Sequence, residues 1–547
     1  MIRRAPEIVL ENGNVLTMAA AQPRAEALAL ADGRIIGLGS TSDVRALASA
    51  AAAHVDLRGR TVLPGFIDAH AHVSQVGHEL SKVDLSPCRS IAQVLEAVAA
   101  RARSTPPGDW IEGSAMWHES ALAEQRFPTR RELDAVAPDH PVYLPRGTRF
   151  FAVANSLALE LAGIDERTPE PDGGQFERDP HSGELTGLLL QRPAFAAVKR
   201  LLPVPGPDDK VRAIQHGQRL FSRAGVTSVI DPALTPDAQR AYQQLWAADA
   251  LRVRTNMTTI LDMNVPLSLA LEDVLARTEN LGPYSGFGDA MLRLGQLKLF
   301  VDGFVETAWL SAPYANDSSF YGVQAVPRAT LETVLRVANR NNWQVGLHCV
   351  GDAAVDLALD AFEAADRERS IADRRWSLMH AVFASPVAME RARRLGVVIS
   401  AQQLLVYAFA PTMLTCWGDA RMEHVSPHRT WLDHGLVVAA GSDVVPFDPL
   451  LGIQSLVTRE TLAAGVVGPA ERVTRSEALW MYTVAGAYLT FEEHDKGSLE
   501  PAKLADLVIL EDDPLRVPES SIKDIKVVAT LVGGRVTHSD GQLFEAT

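Results

Sequence analysis

Cysteine is scarce in this chain: Cys88, Cys349 and Cys416 are the three present in 547 residues. They are far apart and odd in number, which argues against a disulfide framework and fits a reducing compartment. None stands in a C-x-x-C pair, so each reads as a small buried hydrophobe. Positive charge is also short. Acids outnumber bases 67 to 52, the formal charge is -15, and no dense Lys/Arg block occurs, so no nucleic-acid partner is expected. Long apolar runs are missing too: charge, Gly or Pro interrupts each one well short of a bilayer-spanning length, and neither a transmembrane segment nor a membrane partner is expected. The start, Met1-Ile2-Arg3-Arg4-Ala5-Pro6, carries two bases, but Glu7 and Glu11 break the apolar run that follows before a secretory segment can form. The expected location is the cytoplasm. No internal repeat and no long low-complexity tract organises the chain.

With 47% hydrophobic and 22% charged residues, the chain has the composition of a globular enzyme. Its length exceeds one ordinary core, which predicts one large domain with additions or two to three domains. The first sixty residues alternate short apolar runs with turns such as Asn12-Gly13 and Asp32-Gly33. This is the grammar of hairpins. Leu504 to Leu510 and Val527 to Val532, before Gly533-Gly534, repeat it at the far end. One small β-sandwich domain assembled from both ends, residues 1–60 plus 490–547, is therefore expected.

Between these ends, β-branched runs alternate with helical stretches, the pattern of parallel βα units. Eight candidate strands can be counted: Val62 to Asp68, Thr227 to Asp231, Val253 to Ile260, Leu297 to Val301, Val345 to His348, Ser377 to His380, Val397 to Gln402 and Val437 to Asp443. Eight is the number that closes a barrel, so the expected fold is α/β, a (β/α)8 TIM barrel over residues 61–79 plus 206–489. The gap between the first two strands is too long for a single loop, and residues 80–205 are expected to form an inserted subdomain. An insertion leaving the C-terminal edge of a barrel strand would help to shape a substrate pocket.

The first of these strands ends in Asp68-Ala69-His70-Ala71-His72. Residues two apart in a strand face the same way, so both imidazoles can reach one metal ion. In a chain with fifteen histidines an isolated H-x-H is a weak signal. Four other predicted strands also carry a possible ligand at or near their ends: Lys298, His348, His380 and Asp443. Each residue type alone has an ordinary use, as a core histidine, a snorkelling lysine or an Asp opening a turn. Five strands carrying such residues on the face where barrel strands end make a stronger pattern than any one of them.

Taken with Leu63-Pro64-Gly65-Phe66-Ile67-Asp68-Ala69-His70-Ala71-His72, Lys298 with Asp302-Gly303, His348 with Gly351-Asp352, Gly441-Ser442-Asp443 and Ala505-Asp506-Leu507-Val508, the order of these residues resembles the amidohydrolase superfamily. It resembles in particular the branch, amidohydrolase family 3, that contains N-substituted formamide deformylases. The resemblance covers essentially the whole chain. It implies a metal-dependent hydrolase that cleaves a non-peptide C–N bond, that of an amide or an N-formyl or N-acyl amine, by a metal-activated hydroxide. His70 and His72 would bind the more buried metal and His348 and His380 the more exposed one. Lys298, carboxylated by carbon dioxide, would bridge them, since an ammonium has no lone pair to offer. Asp443 would bind metal and serve as the catalytic acid–base group. Zinc, one or two ions per chain, is the expected cofactor, with manganese, iron or cobalt as substitutes. A small-molecule amide is the expected substrate and a homodimer the expected assembly.

Two departures from that pattern fall in the expected insertion. Arg146-Gly147-Thr148-Arg149-Phe150 stands where the branch usually has a histidine, and Gln191 where a glutamate is frequent. They bear on the substrate more than on the hydrolysis. Other readings are a hydrolase of a cyclic amide or carbamate, a deaminase, and a metal-free binding protein that kept the barrel. Deaminases of this scaffold place a glutamate three residues after the strand-five histidine, and that position is Gly351. All six ligand positions hold competent side chains, which argues against the binding protein. Trp117, His118 and Tyr143 are expected in the insertion's core rather than in a site. Asp302 and Glu306 can equally hold the strand-four loop or meet substrate.

Overall fold

The computed structural model describes residues 7–48, 51–79, 82–115, 117–119, 122–146, 151–171, 173–203, 206–261, 283–444 and 446–545. Two compact units divide the chain, residues 1–73 with 218–547 and residues 74–217.

The larger unit is built on eight parallel strands, each hydrogen-bonded to the next in chain order. They are β1 (Phe66–Asp68), β2 (Val226–Leu234), β3 (Arg254–Ile260), β4 (Leu292–Phe300), β5 (Val345–Cys349), β6 (Ser377–His380), β7 (Val398–Ala401) and β8 (Val438–Ala440). They are buried almost throughout, as strands covered on both faces must be. The last strand returns to the first through a parallel bridge between Ala71 and Asp443. At that seam the Asp443 N–H donates to the His70 carbonyl at 2.6 Å and the His72 N–H to the Asp443 carbonyl at 2.9 Å. The sheet is thus a nearly closed barrel. Helices Pro236–Ala247 and Pro386–Arg394 start the same way, with Thr235 or Ser385 capping the first turn and Pro at its first position. Among the described residues no helix is long and apolar enough to cross a membrane.

All eight expected strands are present with shifted ends, β4 for instance starting at Leu292 and β2 running on to Leu234, and two of the shifts bear on the site. Val62 to Asp68 is not one strand. Thr61–Pro64 belongs to another sheet, and the barrel strand starts at Phe66, after Gly65. Gly65 sits so close to β2 that a Cβ there would lie 2.1 Å from Thr227 Cγ2, so the crossing between sheets has room only for glycine. The eighth strand stops at Ala440, and Asp443 lies beyond it with φ of 68°.

Thr61–Pro64 joins a six-stranded sheet that draws on both chain ends. The order is Arg535–Ser539, Val527–Val532, Leu507–Leu510, Thr61–Pro64, Asn14–Leu16, Arg24–Ala25. A four-stranded sheet runs Arg34–Gly39, Ala27–Ala31, Ile8–Glu11, Ala53–Asp56. Apolar residues of both, among them Leu10, Leu28, Val62, Leu507 and Leu531, share one buried cluster. Asp32-Gly33 closes a two-residue hairpin with both φ angles positive. Asn12-Gly13 does not close one, because Ile8–Glu11 and Asn14–Leu16 belong to different sheets. There the Asn12 amide donates to Asp56, and a Cβ on Gly13 would lie 2.4 Å from Leu57 Cδ1. The turn passes the chain from one sheet to the other.

The smaller unit has its own five-stranded sheet, ordered Gln175–Arg178, Leu185–Leu190, Phe151–Ala154, Val142–Pro145, Ile111–Glu112. Its alternation is regular: Val142, Leu144, Val153 and Leu188 enter one core cluster, Tyr143, Ala152, Ala154 and Leu189 the other. Both faces are therefore covered, by helices such as Ile91–Ala102 and Gln191–Lys199.

The barrel and the six-stranded sheet are joined by a buried ion pair. Arg254 on β3 holds Asp506 bidentately, Nε to Oδ2 at 2.7 Å and Nη2 to Oδ1 at 3.0 Å, and Asp506 Oδ1 also accepts the Gly533 N–H. Asp506→Ala leaves that guanidinium without its counter-ion, and the expected loss is about 3–5 kcal/mol of unfolding free energy. Urea titration of the variant beside the parent measures it. A change under about 1 kcal/mol would mean that the pair is not holding the two sheets together.

Candidate metal centre

The six candidate ligands all lie in the larger unit, at the ends of barrel strands. His70 and His72 follow β1 on either side of Ala71, and the alternation expected of them holds. His70 Nε2 is 3.8 Å and His72 Nε2 3.2 Å from Asp443 Oδ1. These three donors lie within 4.8 Å of one another, close enough for one divalent cation to bind all three. Lys298, two residues before the end of β4, reaches across the barrel to place Nζ 3.3 Å from His70 Nε2. His348 and His380 form a second pair, with ring centroids 4.5 Å apart and the His380 ring 5.0 Å from that of His70. They stand beside the three-donor group rather than within it.

Two of these positions carry backbone strain. His380 has φ of 73° and Asp443 φ of 68°, a left-handed region that costs a residue with a Cβ about 1–2 kcal/mol. Such strain persists where the surroundings over-determine the backbone. At Asp443 the seam hydrogen bonds do so. Asp68 adds to them: its Oδ1 accepts the N–H groups of His70 at 3.1 Å and Ser442 at 3.0 Å, pinning the end of β1 to the end of β8. Gly441 is required there, since a Cβ would lie 2.6 Å from the His70 nitrogen.

The electrostatics favour metal-binding forms. Burial, reinforced by the Lys298 charge, holds His70 well below the ordinary imidazole pKa. His348 is lowered likewise, by burial and then by His380. Burial brings His380 down to about 4. Neutral imidazoles keep the lone pair that a metal needs. For the Asp443 carboxyl, burial works upward but is outweighed by the hydrogen bond from His72 and by the electrostatic pull of the His70, His72 and His380 rings, so its pKa stays well below the usual range. Burial lowers the Lys298 amine to about 8, against the pull of Asp443 and Asp231. The donor set, the neutral histidines and the poised amine fit a divalent metal.

Asp302, in the loop after β4, holds this end of the barrel together and was only half legible in sequence. Its Oδ1 accepts the Val350 N–H at 2.9 Å, and its Oδ2 accepts those of Gly351 at 2.8 Å and Trp309 at 3.0 Å. The next residue, Gly303, takes a hydrogen bond from His348 Nε2 at 3.1 Å. A carbonyl only accepts, so Nε2 carries the proton and Nδ1 the lone pair. Phe300 packs on the same imidazole, with ring centroids 4.7 Å apart, and backbone donors of this kind leave no mark in a sequence.

The remaining expectations fall outside this cluster. Trp117 and Tyr143 are core residues of the smaller unit, as expected. His118 pairs with Glu119 there. Arg149 and Phe150 lie outside the described residues. Gln191 opens a helix as an exposed residue with φ of 67°. Glu306 is half-buried, and burial raises its pKa.

The amidohydrolase family pattern matches residues 53–538. The N-substituted formamide deformylase of Arthrobacter pascens is 31% identical over 537 residues, covering 96% of this chain and 97% of that protein. The protein LONG AFTER FAR-RED 3 of Arabidopsis thaliana is 29% identical, covering 97% of this chain and 91% of its own. Among solved structures, an uncharacterized metal-dependent hydrolase from Pyrococcus furiosus matches with a TM-score of 0.73 at 28% identity, over 93% of this chain and 100% of that one.

The Asp302 clamp is open to a direct check. Asp302→Ala orphans three backbone N–H groups, and buried donors without partners cost about 1–3 kcal/mol each. The metal-free variant should lose at least about 2 kcal/mol by urea titration, with Asp302→Asn, which keeps one acceptor oxygen, in between. A loss under about 0.5 kcal/mol for the alanine variant would mean that water or a neighbour replaces the clamp.

Proposed function

Since the chain belongs to the amidohydrolase family, hydrolases of C–N bonds other than peptide bonds, we propose that it cleaves the amide bond of an N-formyl or N-acyl amine at a divalent metal centre held by His70, His72, Lys298, His348, His380 and Asp443. The observation that carries this reading is the convergence of His70, His72 and Asp443 within 4.8 Å, with the Lys298 amine 3.3 Å from His70. Zinc suits a nitrogen-rich donor set best, and manganese, iron or cobalt can take its place. A divalent cation there supplies Lewis acidity, which makes water a stronger acid and a carbonyl a better electrophile.

The chain's own groups do the rest. Asp443 is held ionised beside the histidines, with its side chain 16% exposed. It is the group that takes the proton of the attacking water and returns it to the leaving nitrogen, without which an amide anion would have to depart. Lys298, brought down to about 8 by burial, has a neutral fraction near neutral pH. That form can add to carbon dioxide through its nitrogen lone pair and lose a proton, giving a carbamate whose oxygens can bridge two ions. His348, with its Nε2 proton committed to Gly303, offers Nδ1.

Deamination is disfavoured by the same backbone. A Cβ at position 351 would lie 1.9 Å from the Trp309 carbonyl oxygen, so the glutamate of that chemistry has no place to stand. A cyclic amide or a carbamate remains compatible with the donors. We further read the two sheets from the chain ends as a β-sandwich domain and residues 80–205 as a substrate-shaping insertion. The enzyme is proposed to be a cytoplasmic homodimer.

Elemental mass spectrometry and a screen of N-formyl and N-acyl amines, with and without chelator, test the proposal together. The expected result is close to two metal ions per chain and cleavage that chelator abolishes. Lys298→Ala and Asp443→Asn should each lower turnover by about 10²–10⁴-fold with the fold retained. Near-normal turnover in Asp443→Asn would remove the acid–base role. One ion per chain would remove the lysine bridge, and a chain that takes up no metal would sink the reading as a whole.

A further inference from the structure

The larger unit carries an open recess of about 680 Å³ that none of the six candidate ligands lines, and its volume lies in the range of small-molecule sites. Three arginines stand around it: Arg429 on the helix His428–Asp433, Arg475 at the start of the helix Arg475–Met481, and Arg472 just before it. Both helices pack against β8. Val457 and Leu515 add apolar surface to the lining. In a chain of net charge -15 such a gathering of cations asks what answers them, and the partners divide the three. Arg429 is neutralised, its Nη1 donating to both oxygens of Glu477 at 2.8 and 2.9 Å and its Nε to Asp433 at 2.9 Å. Arg475 is anchored by main chain instead, its Nη1 donating to the carbonyls of Val517 at 2.7 Å and Pro514 at 3.3 Å. Arg472 is exposed, donates from Nε to the Thr458 carbonyl at 3.1 Å and has no ion pair among the described residues. A carbonyl holds a guanidinium in place without cancelling its charge. The carboxylate nearest to hand, Glu519, also lines the recess but is 54% exposed, and its Oε1 stops 3.8 Å from Arg475 Nε, beyond hydrogen-bond reach.

We propose that this recess is a second binding site, for a small organic oxyanion whose phosphate or carboxylate head is held by the Nη1–Nη2 edge of Arg472 and by Nη2 of Arg475, with Glu519 as the internal competitor that the ligand displaces. The free edge of a guanidinium is a planar fork that meets two oxygens of one anion. Both forks are already fixed on another edge by backbone carbonyls, so less side-chain freedom is lost when an anion arrives. Val457 and Leu515 give a hydrocarbon part of the ligand somewhere to lie, which favours an organic anion over a bare inorganic one. The inference does not depend on the metal reading, because no lining residue belongs to that centre.

Calorimetric titration of the full chain with inorganic phosphate, phenyl phosphate and hexanoate tests this. A metal centre also attracts such anions, so the quantity read is the difference between the parent and its variants. Arg472→Gln, which removes the charge and the fork, should weaken binding of the organic anions about 10–100-fold. Glu519→Gln, which removes the competitor, should tighten it by roughly two- to five-fold. The two variants thus move affinity in opposite directions, which a general loss of fold or of surface charge does not do. Arg472 has a single hydrogen bond to the scaffold and the variant is expected to fold; if it does not, Glu519→Gln reads the site by itself. Phenyl phosphate bound most tightly supports the proposal with a phosphate ester as the source, and hexanoate bound most tightly supports it with a carboxylate. A parent that binds none of the three, equal binding by the parent and a folded Arg472→Gln, or weaker binding by Glu519→Gln overturns the proposal and leaves the metal centre untouched.

Discussion

The seam between β1 and β8 is the constraint on which the rest of the site depends. His70, His72 and Asp443 are far apart in sequence and meet only because the eight-stranded sheet curls back on itself. The seam is short. A bridge between Ala71 and Asp443, two backbone hydrogen bonds around Asp443, a third from the Ala69 N–H to the Ala440 carbonyl at 2.9 Å and the carboxylate of Asp68 hold it. Glycine at 441 lets the two strand ends approach closely enough. The backbone that closes the barrel and the side chains that gather the ligands are therefore the same few residues, and an error in the one would be an error in the other.

Burial then does chemical work on those side chains. The same desolvation that would make an unpaired charge costly lowers the histidines into their neutral form and brings the lysine within reach of deprotonation. Asp443 escapes this trend because the hydrogen bond from His72 and the pull of the neighbouring imidazoles outweigh its burial. The centre thus separates its roles by environment: neutral nitrogen donors on several strands, one ionised carboxylate at the seam, and an amine poised between two charge states. The strained backbone at His380 and Asp443 is consistent with side-chain direction being set by the surrounding hydrogen bonds rather than by local preference.

Much of this was legible in the amino-acid sequence, because a parallel barrel writes itself as apolar runs separated by helical stretches, and the candidate ligands stand where those runs stop. The strand ends at His348 and His380 were visible for that reason. What could not be read was settled by contacts that leave no trace in residue type. Asp302 looks the same whether it meets substrate or three backbone N–H groups. Asn12-Gly13 carries the signature of a hairpin, yet Leu57 and Asp56 redirect the chain into a second sheet. The family likeness supplied the order of the ligands, but not these supports.

The crossing at Gly65 has a mechanical side. Thr61–Pro64 is a strand of the six-stranded sheet, Phe66 begins the barrel, and Gly65 alone lies between them, its N–H bonded to the Asp506 carbonyl. There is no slack in that tether. Force or fraying in the sheet built from the chain ends is passed within a few residues to the strand that leads to His70, so the sheet that looks most remote from the candidate centre is coupled in series to its first histidine.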